Sequence, residues 1–152
     1  MIKKLWKKFI AKQYEYWFKE EEPKRLNEIT YSELSKLLSK KCRCQIFLSD
    51  EIYGLTSKEE AIKYSNQTTI RFRKWIKEKH DCDEFSFALM GYWNKGLEQF
   101  AFGIAWSKYH AFNIMIDHKK QIWIVEPQNN RFYKLENIKK NKFYWPLRLI
   151  LI

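Results

Sequence analysis

The sequence predicts an α+β fold in which N-terminal helices are followed by an antiparallel sheet. Apolar residues recur at helical spacing through roughly the first ninety positions, and two capping-box candidates open helices there. From residue 99 the apolar period drops to two, the mark of strands. Hydrophobic residues make up 45% of the chain and aromatics 18%, with only 4 Gly and 3 Pro, which excludes a disordered or linker-like chain. Helices first and strands last is the pattern of an α+β domain. At 152 residues one domain is expected, with 1–49 as a helical extension and 50–152 as the core.

The elements follow in order. Residues 2–19 read as an amphipathic helix, with Ile2, Leu5, Trp6, Phe9, Tyr16 and Trp17 on one side and Lys3, Lys4, Lys7, Lys8 and Lys12 on the other. Thr30 and Glu33 have capping-box spacing, so a helix is expected from Tyr31 to Ser39, packing through Leu34, Leu37 and Leu38. Cys44 to Leu48 reads as a short strand. Thr56 and Glu59 repeat the capping spacing ahead of Ala61, Ile62 and Tyr64. Residues 69–79 are ambiguous: Arg71, Arg73, Lys74, Lys77 and Lys79 form a basic set among Ile70, Phe72, Trp75 and Ile76. A helix starting at Cys82 carries Phe85, Ala88 and Leu89. Strands are then expected around Phe100 to Trp106, His110 to Ile116, Gln121 to Glu126, Arg131 to Leu135 and Tyr144 to Ile152.

The charge is lopsided, with 29 Lys+Arg against 18 Asp+Glu, a net +11. Such a balance favours an anionic partner, either an acidic protein or nucleic acid, or it reflects nothing more than a Lys-rich composition. Lys3, Lys4, Lys7, Lys8, Arg71, Arg73, Lys74 and Lys77 are the candidate contacts. Cys42, Cys44 and Cys82 are an odd set without disulfide-scaffold spacing, and nothing completes a zinc site around them. No cofactor motif occurs and no metal is expected. The first residues carry no signal-peptide pattern, and no run reaches about twenty apolar residues, so a cytoplasmic location is expected.

The chemistry concentrates in three stretches. Asp81 suits a helix N-cap and Asp83 and Glu84 suit a first turn, which puts Cys82 at the first helical position. The helix dipole favours a thiolate there, the flanking acids oppose it, and a histidine partner is needed. His110 and Glu126 supply an imidazole and a carboxylate on what read as adjacent strands. A three- or five-residue hairpin loop around residues 117–119 would set His110 directly opposite Glu126, with Cβ atoms about 4.5–5.5 Å apart. A two-residue loop would send the side chains to opposite faces. For the oxyanion donor and the cleft lining, Asn66, Gln67, Tyr53 and Asn113 are candidates on residue type, while His80 and His118 read as surface residues.

Asp81-Cys82-Asp83-Glu84-Phe85, His110-Ala111-Phe112-Asn113 and Glu126-Pro127 together resemble a papain-like group of cysteine hydrolase domains found in phage and bacterial proteins and in the C-terminal domain of fungal chimeric lectins. The resemblance covers about residues 50–130. It implies a papain-like fold, with Cys82 as nucleophile, His110 as general base and acid, and Glu126 orienting the imidazole. Papain-like proteases carry a glutamine six residues before the cysteine, where this chain has Ile76. The function so implied is a protease- or amidase-type cysteine hydrolase acting on a peptide or amide, with acyl transfer using the same residues. The alternative is an inactive papain-like scaffold whose basic faces bind an acidic protein or nucleic acid.

Overall fold

A computed structural model describes residues 21–152. The expected helix over 2–19, with Lys3, Lys4, Lys7 and Lys8, therefore lies outside the described residues. Strand β1 (Asn27–Thr30) leads directly into helix α1 (Tyr31–Cys42). Thr30 Oγ1 accepts from Glu33 N and the Glu33 carboxylate accepts from Thr30 N, so both halves of the capping box form. The helix runs three residues beyond the expected end and stops at Arg43, in the left-handed conformation at φ 43.

Strand β2 (Gln45–Phe47) and strand β3 (Ile52–Leu55) follow, then helix α2 (Lys58–Ser65). Its cap is Ser57, accepting from Glu60 N, one residue later than the spacing from Thr56 implied. Residues 70–72 make one 3-10 turn, and residues 72–79 are exposed. Helix α3 (Cys82–Trp93) is capped by Asp81, whose backbone N–H is in turn bonded to the Glu84 carboxylate at 2.9 Å.

Strands β4 (Phe102–Trp106), β5 (Ala111–Ile116), β6 (Ile122–Glu126) and β7 (Arg131–Lys134) come next, then the short helix α4 (Leu135–Ile138) and strand β8 (Leu149–Leu151). The six-stranded sheet runs β2-β8-β4-β5-β6-β7. It is antiparallel except at β2 and β8, which pair in parallel, so the expected all-antiparallel sheet is corrected at one edge. A parallel pair needs a long crossover, and here about two thirds of the chain lies between the partners. β1 and β3 form a separate antiparallel ribbon that sequence reading did not anticipate.

β5 and β6 are buried at every position, because the sheet is covered on both faces. Phe112, Ile114, Ile116, Ile122 and Ile124 pack with α1 and the small ribbon. Met115, Trp123 and Val125 pack with α2 and α3 on the other face. Trp93 stacks on Phe102 with centroids 4.3 Å apart, and its Nε1–H donates to Ser65 Oγ at 3.1 Å. Asn113, fully buried, donates from Nδ2 to Ser86 O at 2.9 Å and to Gly103 O at 3.0 Å. That amide straps α3 to the sheet and so sets the position of the helix start.

Candidate functional site

Helix α3 aims its first turn at the end of the sheet where β4 finishes and β5 begins. Cys82 occupies the first helical position, as its neighbours Asp81 and Glu84 dictate. The connection from β4 to β5 is a tight turn held by Ser107. Its amide donates to His110 O at 2.9 Å, and its hydroxyl accepts from the His110 and Tyr109 amides at 3.0 and 3.1 Å. The same hydroxyl donates to Phe143 O at 2.5 Å, tying the turn to the C-terminal segment. The turn leaves the His110 ring buried against Phe143, Tyr144 and Phe112, with centroids 4.7, 5.3 and 5.7 Å away.

His110 Nε2 lies 2.7 Å from Glu126 Oε2, with both side chains less than one-tenth exposed. The register is not the expected direct opposition. Asn113 pairs with Val125 and Ile116 with Ile122, a shift of two residues, so the imidazole reaches Glu126 on the diagonal. A two-residue shift preserves the face, which is why the contact survives it. Glu126 Oε2 also accepts from Tyr144 Oη at 3.0 Å, and Oε1 accepts from Gln128 N at 3.5 Å. A carboxylate is acceptor only, so Nε2 carries the proton and Nδ1 of the neutral ring is an acceptor. Burial beside Glu126 raises the Tyr144 hydroxyl, keeping it a donor.

Cys82 and His110 together line a cavity of about 950 Å³ and a second of about 520 Å³, and Glu126 and Tyr144 border the second. The thiol is not a resting thiolate. Burial pushes it up, the Ala111 N–H offsets part of this, and Asp83 and Asp81 push it up again. Its S–H points to Asp83 Oδ1 at 3.8 Å, an oxygen that also accepts from Trp106 Nε1 at 3.3 Å. The helix dipole is thus outweighed by desolvation and two neighbouring acids. Asp81, Cys82 and Asp83 place one ligand atom each within 4.8 Å of one another, a grouping that suits a cation by geometry, whereas the Glu84 carboxylate is occupied by the Asp81 amide. The larger cavity is lined by both signs of charge: Glu78, Asp81 and Asp83, and Arg43, Lys108 and Arg148.

Four cleft candidates are placed elsewhere. Asn66 caps α2, its Oδ1 accepting from Arg71 at 2.6 Å and Asn130 at 3.2 Å. Gln67 donates to Glu21 O. Tyr53 is fully buried with its hydroxyl between Asp50 N and Ile152 O, and Asn113 is the strap described above. Each was chosen by residue type; Gln67, Tyr53 and Asn113 bond backbone groups instead, and Asn66 bonds the Arg71 and Asn130 side chains. Of Arg71, Arg73, Lys74 and Lys77, Lys77 alone borders either cavity. His80 and His118 are half-buried rather than surface residues, His80 lying 4.7 Å from the Phe85 ring. The residues that sequence reading missed are Ser107, Lys108, Arg43, Arg148 and Phe143, which carry no local motif, while Tyr144 was read as the start of a strand and its bond to Glu126 was not foreseen.

No family model and no curated protein matches this chain. Solved structures do. The PSL1a–E64 complex superposes with a TM-score of 0.66 at 17% identity over 82% of this chain and 50% of that one. Polyporus squamosus lectin bound to the human-type influenza-binding epitope Neu5Aca2-6Galb1-4GlcNAc gives the same score and identity, over 82% and 49%. The chain therefore has the fold of about half of that fungal lectin's chain. The expectation of a protease- or amidase-type hydrolase with a peptide or amide substrate is corrected by this finding, since the matching chains are lectin. The alternative of a basic module for an acidic protein or nucleic acid finds no support in them either. No helix among the described residues is long and apolar enough to cross a membrane.

Proposed function

We propose that the cleft beside Cys82 and His110 is a ligand-binding site and that its ligand is a saccharide. The observation that carries this reading is the rim: Trp75, Tyr109 and Phe143 are each about half exposed around a cavity whose other lining is mainly polar, with carboxylates, two amides and Lys77 beside Cys82, His110 and Tyr144. A large aromatic left in water beside a cleft offers a flat apolar face for a sugar ring, and the polar groups between offer partners for its hydroxyls. The bound saccharide of the Polyporus squamosus lectin supports the ligand class. Tyr109→Ala is expected to weaken a saccharide selected on a glycan array by roughly tenfold, the value of one stacked ring, without moving the melting temperature. Titration calorimetry reads the affinity. An array that retains nothing, or an unchanged affinity in the variant, would sink this reading.

A second observation favours a further role for the same side chains. An imidazole oriented by a buried carboxylate shares a cleft with a cysteine and the Ala111 N–H. In this reading Cys82 is the nucleophile, His110 Nδ1 accepts the thiol proton as the sulfur bonds to an electrophile, and Glu126 holds the ring. The papain-like layering implied by the motifs belongs here. What is proposed is capture of an electrophile, and peptide or amide hydrolysis is not part of it. With iodoacetamide the S–C bond forms, C–I breaks and the proton passes to His110. His110→Ala is expected to slow Cys82 alkylation about tenfold near neutral pH, read by mass spectrometry. Equal rates in the two proteins would remove the role.

A further inference from the structure

Next to the main cleft lies a separate hollow of about 530 Å³, lined by Lys108, Tyr109, Lys142, Trp145, Pro146 and Arg148. Lys108, Tyr109 and Arg148 also line the larger cavity, so the two spaces adjoin. The hollow has no carboxylate in its lining. Lys108, Lys142 and Arg148 make no ion pair among the described residues. A fourth cation, Lys139, sits over the Trp145 ring at 5.2 Å from its centroid. Exposed lysines usually point into solvent at no cost. Here three cations instead surround one concave space floored by an indole and a proline ring. Like charges gathered about a hollow raise its potential, and an entering anion relieves that repulsion.

We propose that this hollow binds a tetrahedral oxyanion, a phosphate or sulfate ester, carried on a flat apolar body. Lys108, Lys142 and Arg148 hold the oxyanion, the Arg148 guanidinium being suited to two of its oxygens at once. Trp145 and Pro146 take the apolar part. Glu78, Asp81 and Asp83, which line the main cleft with Cys82 and are absent from the hollow, repel the same group, so the ligand's charged end stays in the hollow. The site stands whether or not the main cleft takes a saccharide.

The test is titration of the full chain with phenyl phosphate, phenyl sulfate, phenol and inorganic phosphate, followed by calorimetry or amide NMR. Phenyl phosphate or phenyl sulfate is expected to bind saturably and at least about tenfold more tightly than phenol, with an affinity that falls as salt rises. Tighter phosphate would assign a phosphorylated ligand, and tighter sulfate a sulfated one. Lys108 and Lys142 are exposed, so the double variant Lys108→Ala/Lys142→Ala should fold, and it should lose at least about tenfold in affinity for the ester. Arg73→Ala, on the other basic segment, should lose nothing. Phenol binding as tightly as both esters, or a double variant binding them as the wild type does, overturns the proposal.

Discussion

Glu126→Ala is expected to cost about 3 kcal/mol of stability, because it strips partners from two buried donors at once. Glu126 is 6% exposed and receives His110 Nε2 at 2.7 Å and Tyr144 Oη at 3.0 Å. Its removal leaves both in a cluster of aromatic rings, where Phe112 and Phe143 offer no acceptor. Water entering from the neighbouring cavity offsets part of the loss, which keeps the figure below the sum of two full desolvation penalties. Glu126→Gln retains the volume and one acceptor oxygen, and is expected to cost about 1 kcal/mol. Urea unfolding measures both, and the m-value should stay constant. A Glu126→Ala midpoint within about 0.5 kcal/mol of the wild type would show that the pair is solvated and does not organise the site.

Gly103→Ala is expected to be the most damaging single-methyl change in the sheet. A Cβ at this position would stand 1.9 Å from Leu151 O and 2.8 Å from Leu151 C, with Ile152 Cγ1 at 2.7 Å. Two of these atoms are backbone, so no rotamer change relieves the clash, and β4 must part from β8. β8 is the sole partner of β2 in the main sheet, so the edge would go with it. The expected loss is about 3 kcal/mol or more, which for a domain of this size lowers the melting temperature on the order of 10 °C. A variant that melts within a degree or two of the wild type would mean that the β4–β8 approach is looser than described.

Local chemistry was readable wherever a short run of residues decides the outcome. Both helices with a capping box start where Thr30 and Asp81 require, because a cap needs only a side chain and an amide two or three residues on. The second cap slid by one residue, since Thr56 and Ser57 are both competent and the burial of Thr56 chose between them. The stretch 111–116, apolar except for Asn113, reads as a strand, but its burial on both faces comes from α1 and α3, which no periodicity in the run reports. The ribbon of β1 and β3 was invisible because Asn27–Thr30 and Ile52–Leu55 are short and pair across the whole of α1.

The candidate site divides along the same line. That Cys82 begins a helix follows from its cap, a property of nearby residues, whereas a side-chain period of two left His110 and Glu126 on one face or on opposite faces according to the loop length. The diagonal pairing, the Tyr144 and Ser107 contacts, the basic wall and the failure of Asn66, Gln67, Tyr53 and Asn113 to reach the cleft were decided only in three dimensions. Polar side chains take whichever buried partner the packed chain brings near, and most of those partners here lie more than a dozen residues away in sequence. Partial burial of Cys82 and the carboxylates of its sequence neighbours Asp83 and Asp81 push the thiol up, against the pull of its place at a helix start.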